Sequence, residues 1–273
     1  MATSPTYSLS DLDKLEAREL LSKILNLGVS IDLQEAPTGR KNKAPRENDE
    51  ESCPSVKGFK LMGTFSFGHA FKETDRRTVL RKVDPDLSPR PAQHHTKYTK
   101  AMEAFQTWKH LIPDSLRVPK VYGYYTSNDN EPSTYWSKNL EKLPCQYRFP
   151  TDYLRIELIR SFPISIKRAL VSLFYPPPER PSIAKILGQP NNGACLVRPY
   201  LGRRSFEQPP ATFSTRDFPL PLLAMEHLQL DTVGLAKAMG TAYAVLQWGA
   251  GICGRDVNFT LGISAEWGNQ KRS

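Results

Sequence analysis

Residues 35–56, EAPTGRKNKAPRENDEESCPSV, contain no Leu, Ile, Met, Phe, Tyr or Trp. A run this poor in large apolar side chains cannot bury enough surface to offset the entropy of ordering its backbone. It predicts a disordered linker, so any core must be assembled from residues 1–34 and 57–273. Arg40, Lys41, Lys43 and Arg46 cluster inside it. They read either as a weak nuclear address or, more plainly, as solvated linker charge. The four cysteines, Cys53, Cys145, Cys195 and Cys253, are scattered, with no C-x-x-C and no His pair at finger spacing. That excludes a zinc finger by pattern and fits thiols packed as small hydrophobes in a reducing compartment.

The arm before the linker carries SLSDLDKLEARELLSKILNLG. Ser8 with Asp11 forms a capping-box start, and Leu12, Leu15, Leu20, Ile24 and Leu27 fall near one helical stripe that stops at Gly28. The spacing predicts an amphipathic helix within 1–34, either packed on its own domain or free to dock a partner.

From residue 57 the texture changes. FKLMGTFSFGHAFKE and RRTVLRKVD read as strand-like runs joined at Thr74-Asp75. PAQHHTKYTKAMEAFQTWKHL follows as a helix with Tyr98, Met102, Phe105, Trp108 and Leu111 at spacings of three and four. RVPKVYGYYTS and DYLRIELIRSF are further strands. ISIKRALVSLFY is a helix ended by Pro176, ACLVRPYLG a strand, and LDTVGLAKAMGTAYAVLQWGAG a long apolar helix that Asp231 can cap. This order is not a βαβ alternation. It predicts an α+β fold with a small sheet-rich lobe over 57–150 and a helix-rich lobe over 151–273.

Several motifs fall in the order of a kinase-like phosphotransferase. A turn bounded by Gly63 and Gly68 could bring backbone N–H groups to phosphate oxygens, although hairpin glycines more often serve backbone conformation. Lys82, on the next strand, would reach the phosphates and be held by Glu103 from the following helix; Arg81 is the alternative inward residue, because strand neighbours face opposite ways. RIELIRSF would lead into a hinge between lobes. The last motif is GAGICGRDVNFTLG, where Asn258 occupies the asparagine position of a catalytic loop H-x-D-x-x-x-x-N. Cys253 stands where the loop acid belongs, and a thiol is a poor ligand for magnesium, which prefers hard oxygen. Asp256 is acidic but lies only two residues before Asn258. No Asp follows it, so the expectation is a C-lobe without the second metal ligand, which gives a partial, C-terminally shortened domain.

On FPLPLLAMEHLQLDTVGLAKAMGTAYAVLQWGAGICGRDVNFTLG, NNGACLVRPYLGRR and LIRSFPISIKRALVSLFYPPPE the chain resembles a fungal family of unknown function. Its members are often named zinc finger proteins although the shared domain carries no finger. The resemblance spans roughly 57–262 and rests on Ala244, Leu246, Trp248, Ala250, Asp256, Val257, Phe259, Leu261 and Gly262. Gln247 replaces the family's His, Cys253 its first Asp and Asn258 its Glu. The resemblance implies a kinase-like, two-lobed fold; the departures imply a degenerate member.

The expected function is accordingly a non-catalytic binding or regulatory protein. The vestigial catalytic candidates are Cys253, Asp256 and Asn258. Gly63, Gly68, Lys82 and Glu103 are the nucleotide-binding candidates, and no metal site or cofactor is expected. The alternatives are an ATP- and magnesium-dependent phosphotransferase using Asp256, or a basic regulator associated with nucleic acid. The net charge of +9 favours acidic partners, but solvated surface charge accounts for it more plainly, so nucleic acid and membrane are not expected partners; the partner is unknown, with a protein as the candidate. The sequence begins without a basic, apolar leader and contains no run near the ~18–20 apolar residues of a membrane span, which predicts a cytoplasmic or nuclear protein.

Overall fold

The computed structural model describes residues 5–32, 58–65, 68–73, 77–84, 90–126, 135–176, 181–189, 192–205 and 212–263. The expected linker 35–56 and the expected turn at Thr74-Asp75 lie outside the described residues. The chain is an α+β fold of two compact units. One gathers Met1–Glu35, Glu103–Arg117 and Ile159–Ser273; the other gathers Ala36–Met102 and Val118–Leu158.

The N-terminal arm begins with β1 (Thr6–Ser8), which pairs in parallel with β2 (Ser30–Asp32). Between them lie two helices, α1 (Leu9–Leu12) and α2 (Ala17–Ile24), rather than the single helix expected from the stripe. The capping box is present: Ser8 Oγ accepts the Asp11 N–H at 3.2 Å, and Asp11 Oδ2 accepts the Ser8 N–H at 3.1 Å. Residues 13–15 close as turns, with Leu15 N–H donating to the Leu12 carbonyl at 3.4 Å. The break lets Leu12 and then Leu20, Leu21, Ile24 and Leu25 all enter one core, whereas Leu15 stays at its margin.

The leucines of the arm share a cluster with Ile166, Leu170, Val171, Met225, Leu228 and Leu235. These come from α5 (Ile164–Phe174), from α7 (Leu222–His227) and its C-terminal cap, and from α8 (Thr232–Ala244). Between α5 and α7 lie α6 (Ile183–Leu187) and a parallel pair, β8 (Val197–Tyr200) with β9 (Phe218–Pro221). Buried Asn192 ties these pieces together. Its amide donates to the Ile186 carbonyl at 2.8 Å, and its side-chain oxygen accepts the Thr215 N–H at 2.8 Å.

The second unit is a five-stranded antiparallel sheet. Its strands are β3 (Phe59–Phe65), β4 (Gly68–Glu73), β5 (Thr78–Val83), β6 (Val121–Tyr125) and β7 (Tyr153–Glu157), in the spatial order β3-β4-β5-β7-β6. Helix α3 (Arg90–Thr107) connects β5 to β6, and α4 (Tyr135–Asn139) precedes β7. Tyr153, Leu154 and Ile156 alternate between the two sheet faces and are buried on both, which makes β7 an interior strand between β5 and β6. Among the described residues no helix is long and apolar enough to cross a membrane.

Truncating Leu21, wholly buried at the α2–α5 contact, should cost about 2–5 kcal/mol in urea unfolding. Leu61→Ala, on edge strand β3 at 37% exposure, should cost under about 1 kcal/mol. Equal losses in the two variants would contradict the assignment of the arm to the core.

Candidate functional site

The loop-like motif begins where α8 ends. Asp231 caps the helix start by accepting the Gly234 N–H at 2.8 Å. At the other end the helix widens over Val245–Gly249, with Ala250 N–H reaching back five residues to the Val245 carbonyl at 3.1 Å. Such single wide turns recur at functional positions. Gly251 then takes φ +64°, a left-handed conformation that favours glycine, and Ile252 is driven into the interior. Gly254–Asp256 form one tight turn with Cys253 as its extended cap.

Beyond the turn the segment is pinned. Leu261 exchanges two backbone hydrogen bonds with Val197, at 2.7 and 3.2 Å, and Ile263 exchanges two with Arg160, at 3.0 and 3.1 Å. The Phe259 ring meets Tyr243 edge-on at 5.1 Å. A methyl on Gly254 would come within 2.9 Å of that same tyrosine. The segment is therefore a defined loop that presents Cys253 and Asn258 to solvent. The Asp256 side chain is not among those described. Among the side chains that the loop presents is the exposed thiol of Cys253.

In the sheet unit, register decides which residues can act together. Opposed residues of an antiparallel pair share a face. Lys82 stands opposite His69 on β4 and Tyr153 on β7; Arg81 stands opposite Ala70 and Leu154. Val79, Leu154, Ile156, Tyr98 and Tyr124 cluster on the face that bears Arg81. There the Arg81 guanidinium donates to the Tyr98 hydroxyl of α3 at 3.2 Å. On the same side Tyr124 donates to Asp152 at 2.6 Å, and His95 of α3 stacks on the Tyr124 ring at 5.5 Å. Burial raises the Tyr124 phenol pKa above its usual range, and the bond to Asp152 raises it further.

Lys82 points the other way, into the cluster of Phe71, Leu80, Trp136 and Tyr153. It is 1% exposed. Its ammonium sits 3.4 Å from the Phe149 ring centroid and 5.6 Å from that of Trp136, and among the described residues Nζ has no hydrogen-bond acceptor. The cover over it is anchored by Trp136 Nε1 donating to the Thr151 carbonyl at 2.9 Å and by Arg148 donating to the Leu143 carbonyl at 2.9 Å. Burial lowers the Lys82 pKa from 10.5 to about 8, against a smaller upward pull from Asp84.

The other sequence-read nucleotide residues take the following places. Gly63 is not in a turn but inside β3, beside a register shift between Leu61 and Gly63. Gly68 opens β4 at φ +150°, where a Cβ would run into the Lys82 carbonyl oxygen; its glycine serves close strand packing. Glu103 lies on the part of α3 assigned to the other compact unit. Arg81, the alternative inward residue, meets α3, where its guanidinium donates to the Tyr98 hydroxyl. Tyr98 was read only as part of the helical spacing, and Tyr124, Asp152 and His69 carried no pattern of their own in the sequence; period-two alternation along β5 was the one available signal for the two faces.

Comparison with protein-family models, with curated proteins and with solved structures finds no match.

The Lys82 environment fixes a pH dependence. Its folded pKa lies below its unfolded one, so the folded state holds fewer protons between about 8 and 10.5 and stability rises with pH across that window. Below about 8 the full penalty for burying the charge is present. Lys82→Met should be more stable than the parent at neutral pH. The parent should close that gap by roughly 3 kcal/mol as pH climbs from 8 to 10.5, measured as the difference between the two proteins' unfolding free energies. A gap that does not change with pH would contradict a buried, partnerless amine.

Proposed function

We propose that this chain is a degenerate, kinase-like two-lobed domain that binds or regulates a partner without transferring phosphate. The observation that carries this reading is the exposed thiol of Cys253 at the acid position of a loop pinned to Val197 and Arg160. Phosphoryl transfer depends on a carboxylate that positions the nucleophile and on oxygen ligands for magnesium, and a thiol serves neither purpose well.

The sheet supports the same reading. Its element order, with a strand bearing basic residues, then a helix, then two paired strands, is the order a kinase N-lobe requires. Its chemistry departs from that pattern. Lys82 lies inside an aromatic pocket, and the basic residue that bonds a side chain of α3 is Arg81, through the Tyr98 hydroxyl. In an active kinase the lysine–glutamate pair of this strand and helix must be in place. The partner class in this reading is protein, and it rests on the proposed fold alone.

Thermal denaturation with ATP and magnesium tests this. The domain should show a shift under about 1 °C at millimolar nucleotide and no ATP turnover, and Cys253→Asp should not establish turnover, because the Lys82 pocket is unchanged. ATP hydrolysis by the parent that is lost in Asp256→Asn would overturn the proposal and establish the phosphotransferase reading instead.

A further inference from the structure

Lys82 Nζ is buried among rings with no hydrogen-bond acceptor among the described residues, which is a costly placement for an amine that does nothing. The groups able to titrate that face it come from every element around it. His69 lies directly across on β4, Tyr153 across on β7, Asp84 two residues on, and Tyr147 in the covering segment. His69 is held in a defined orientation. Its Nε2 lies 3.5 Å from Asp84 Oδ1, its Nδ1 lies 3.3 Å from Thr64 Oγ1, and its ring packs on Tyr147 at 4.6 Å. Directly opposed strand residues bring their Cβ atoms to roughly 4.5–5.5 Å, so His69, with Asp84 against its ring, and Lys82 stand opposite each other and project from one sheet face.

A lysine desolvated in an apolar pocket is one of the recurrent ways of making an amine nucleophilic, and an imidazole backed by a carboxylate is a recurrent proton carrier. The Phe149 ring against the ammonium is itself only half-buried, and its rotation is the opening that access to the amine requires. The flat walls of Phe149 and Trp136 suit a planar, apolar body.

We infer that Lys82 is a carbonyl-capturing amine, which takes a small planar aldehyde as an imine with His69 as the proton carrier. The Lys82 nitrogen lone pair attacks the aldehyde carbon. The C=O π electrons move to oxygen, and the ammonium proton formed passes through His69 to that oxygen, giving a carbinolamine. Proton transfer from His69 to the hydroxyl then breaks the C–O bond as the nitrogen lone pair forms C=N. Loss of the remaining N–H proton gives the neutral imine and regenerates the protonated imidazole. One amine and one aldehyde yield one imine and one water, with no net oxidation. Burial holds the Lys82 pKa near 8, which leaves about one amine in ten uncharged at neutral pH.

The test uses the full chain with benzaldehyde as probe and cyanoborohydride as the trap for the imine, at neutral pH, with benzyl-lysine quantified at each position by mass spectrometry. Lys82 should be trapped at least about tenfold faster than exposed Lys72. His69→Gln, checked for a parental circular dichroism spectrum, should slow trapping at Lys82 by about tenfold and leave Lys72 unchanged. Trapping at Lys82 no faster than at Lys72 in the folded parent overturns the site. A parental rate at Lys82 in His69→Gln overturns the role of His69.

Discussion

The alternation of strand β5 is the constraint on which the site chemistry depends. Bonded on both edges, to β4 and to β7, the strand cannot slip by one residue without exchanging the faces of all its side chains. Val79 and Leu80 are both buried, on opposite faces, and so fix the register. Once they are placed, Arg81 must meet α3 and Lys82 must enter the aromatic cluster beneath the covering segment. The charged residues follow the apolar ones, and the outcome is a basic strand whose lysine is withdrawn from the helix.

The two units show different ways of closing a core. In the sheet unit, Tyr125, Tyr135, Trp136 and Tyr153 pack ring on ring, with centroids 4.5 to 6.0 Å apart, so the segment before β7 is held by aromatic faces. In the helical unit, aliphatic side chains from the N-terminal arm fill the space beside α5, and buried Asn192 joins the loops that border it. The covering segment of the sheet unit is what isolates Lys82, and the pinning strands of the helical unit are what define the Cys253 loop.

Much of this was legible in the residues. The three- and four-residue spacing of Tyr98, Met102 and Phe105 marked α3, and the apolar run closed by glycines marked α8 and its loop. The box of Ser8 and Asp11 was local and therefore readable. The break after Leu12 was not, because it is set by distant partners such as Ile166 and Leu170. Three-residue parallel strands such as β1 and β2 carry no periodic signal at all. That Lys82 and Arg81 face opposite ways follows from the strand period. Which of the two is covered depends on residues 135–149 folding back over one face, a long-range event with no local signature. The same holds for β7, whose place between β5 and β6 is set by pairing and not by its own composition.

Withdrawal of Lys82 from the helix face is the central claim, and lysine-selective carbon NMR tests it most directly. The Lys82 ε-methylene resonance, assigned by its loss in Lys82→Met, should titrate with a midpoint near 8 and show through-space contacts to the Phe149 ring. A midpoint near the ordinary 10.5, with contacts to Tyr98 in place of Phe149, would put the lysine on the α3 face and contradict the account.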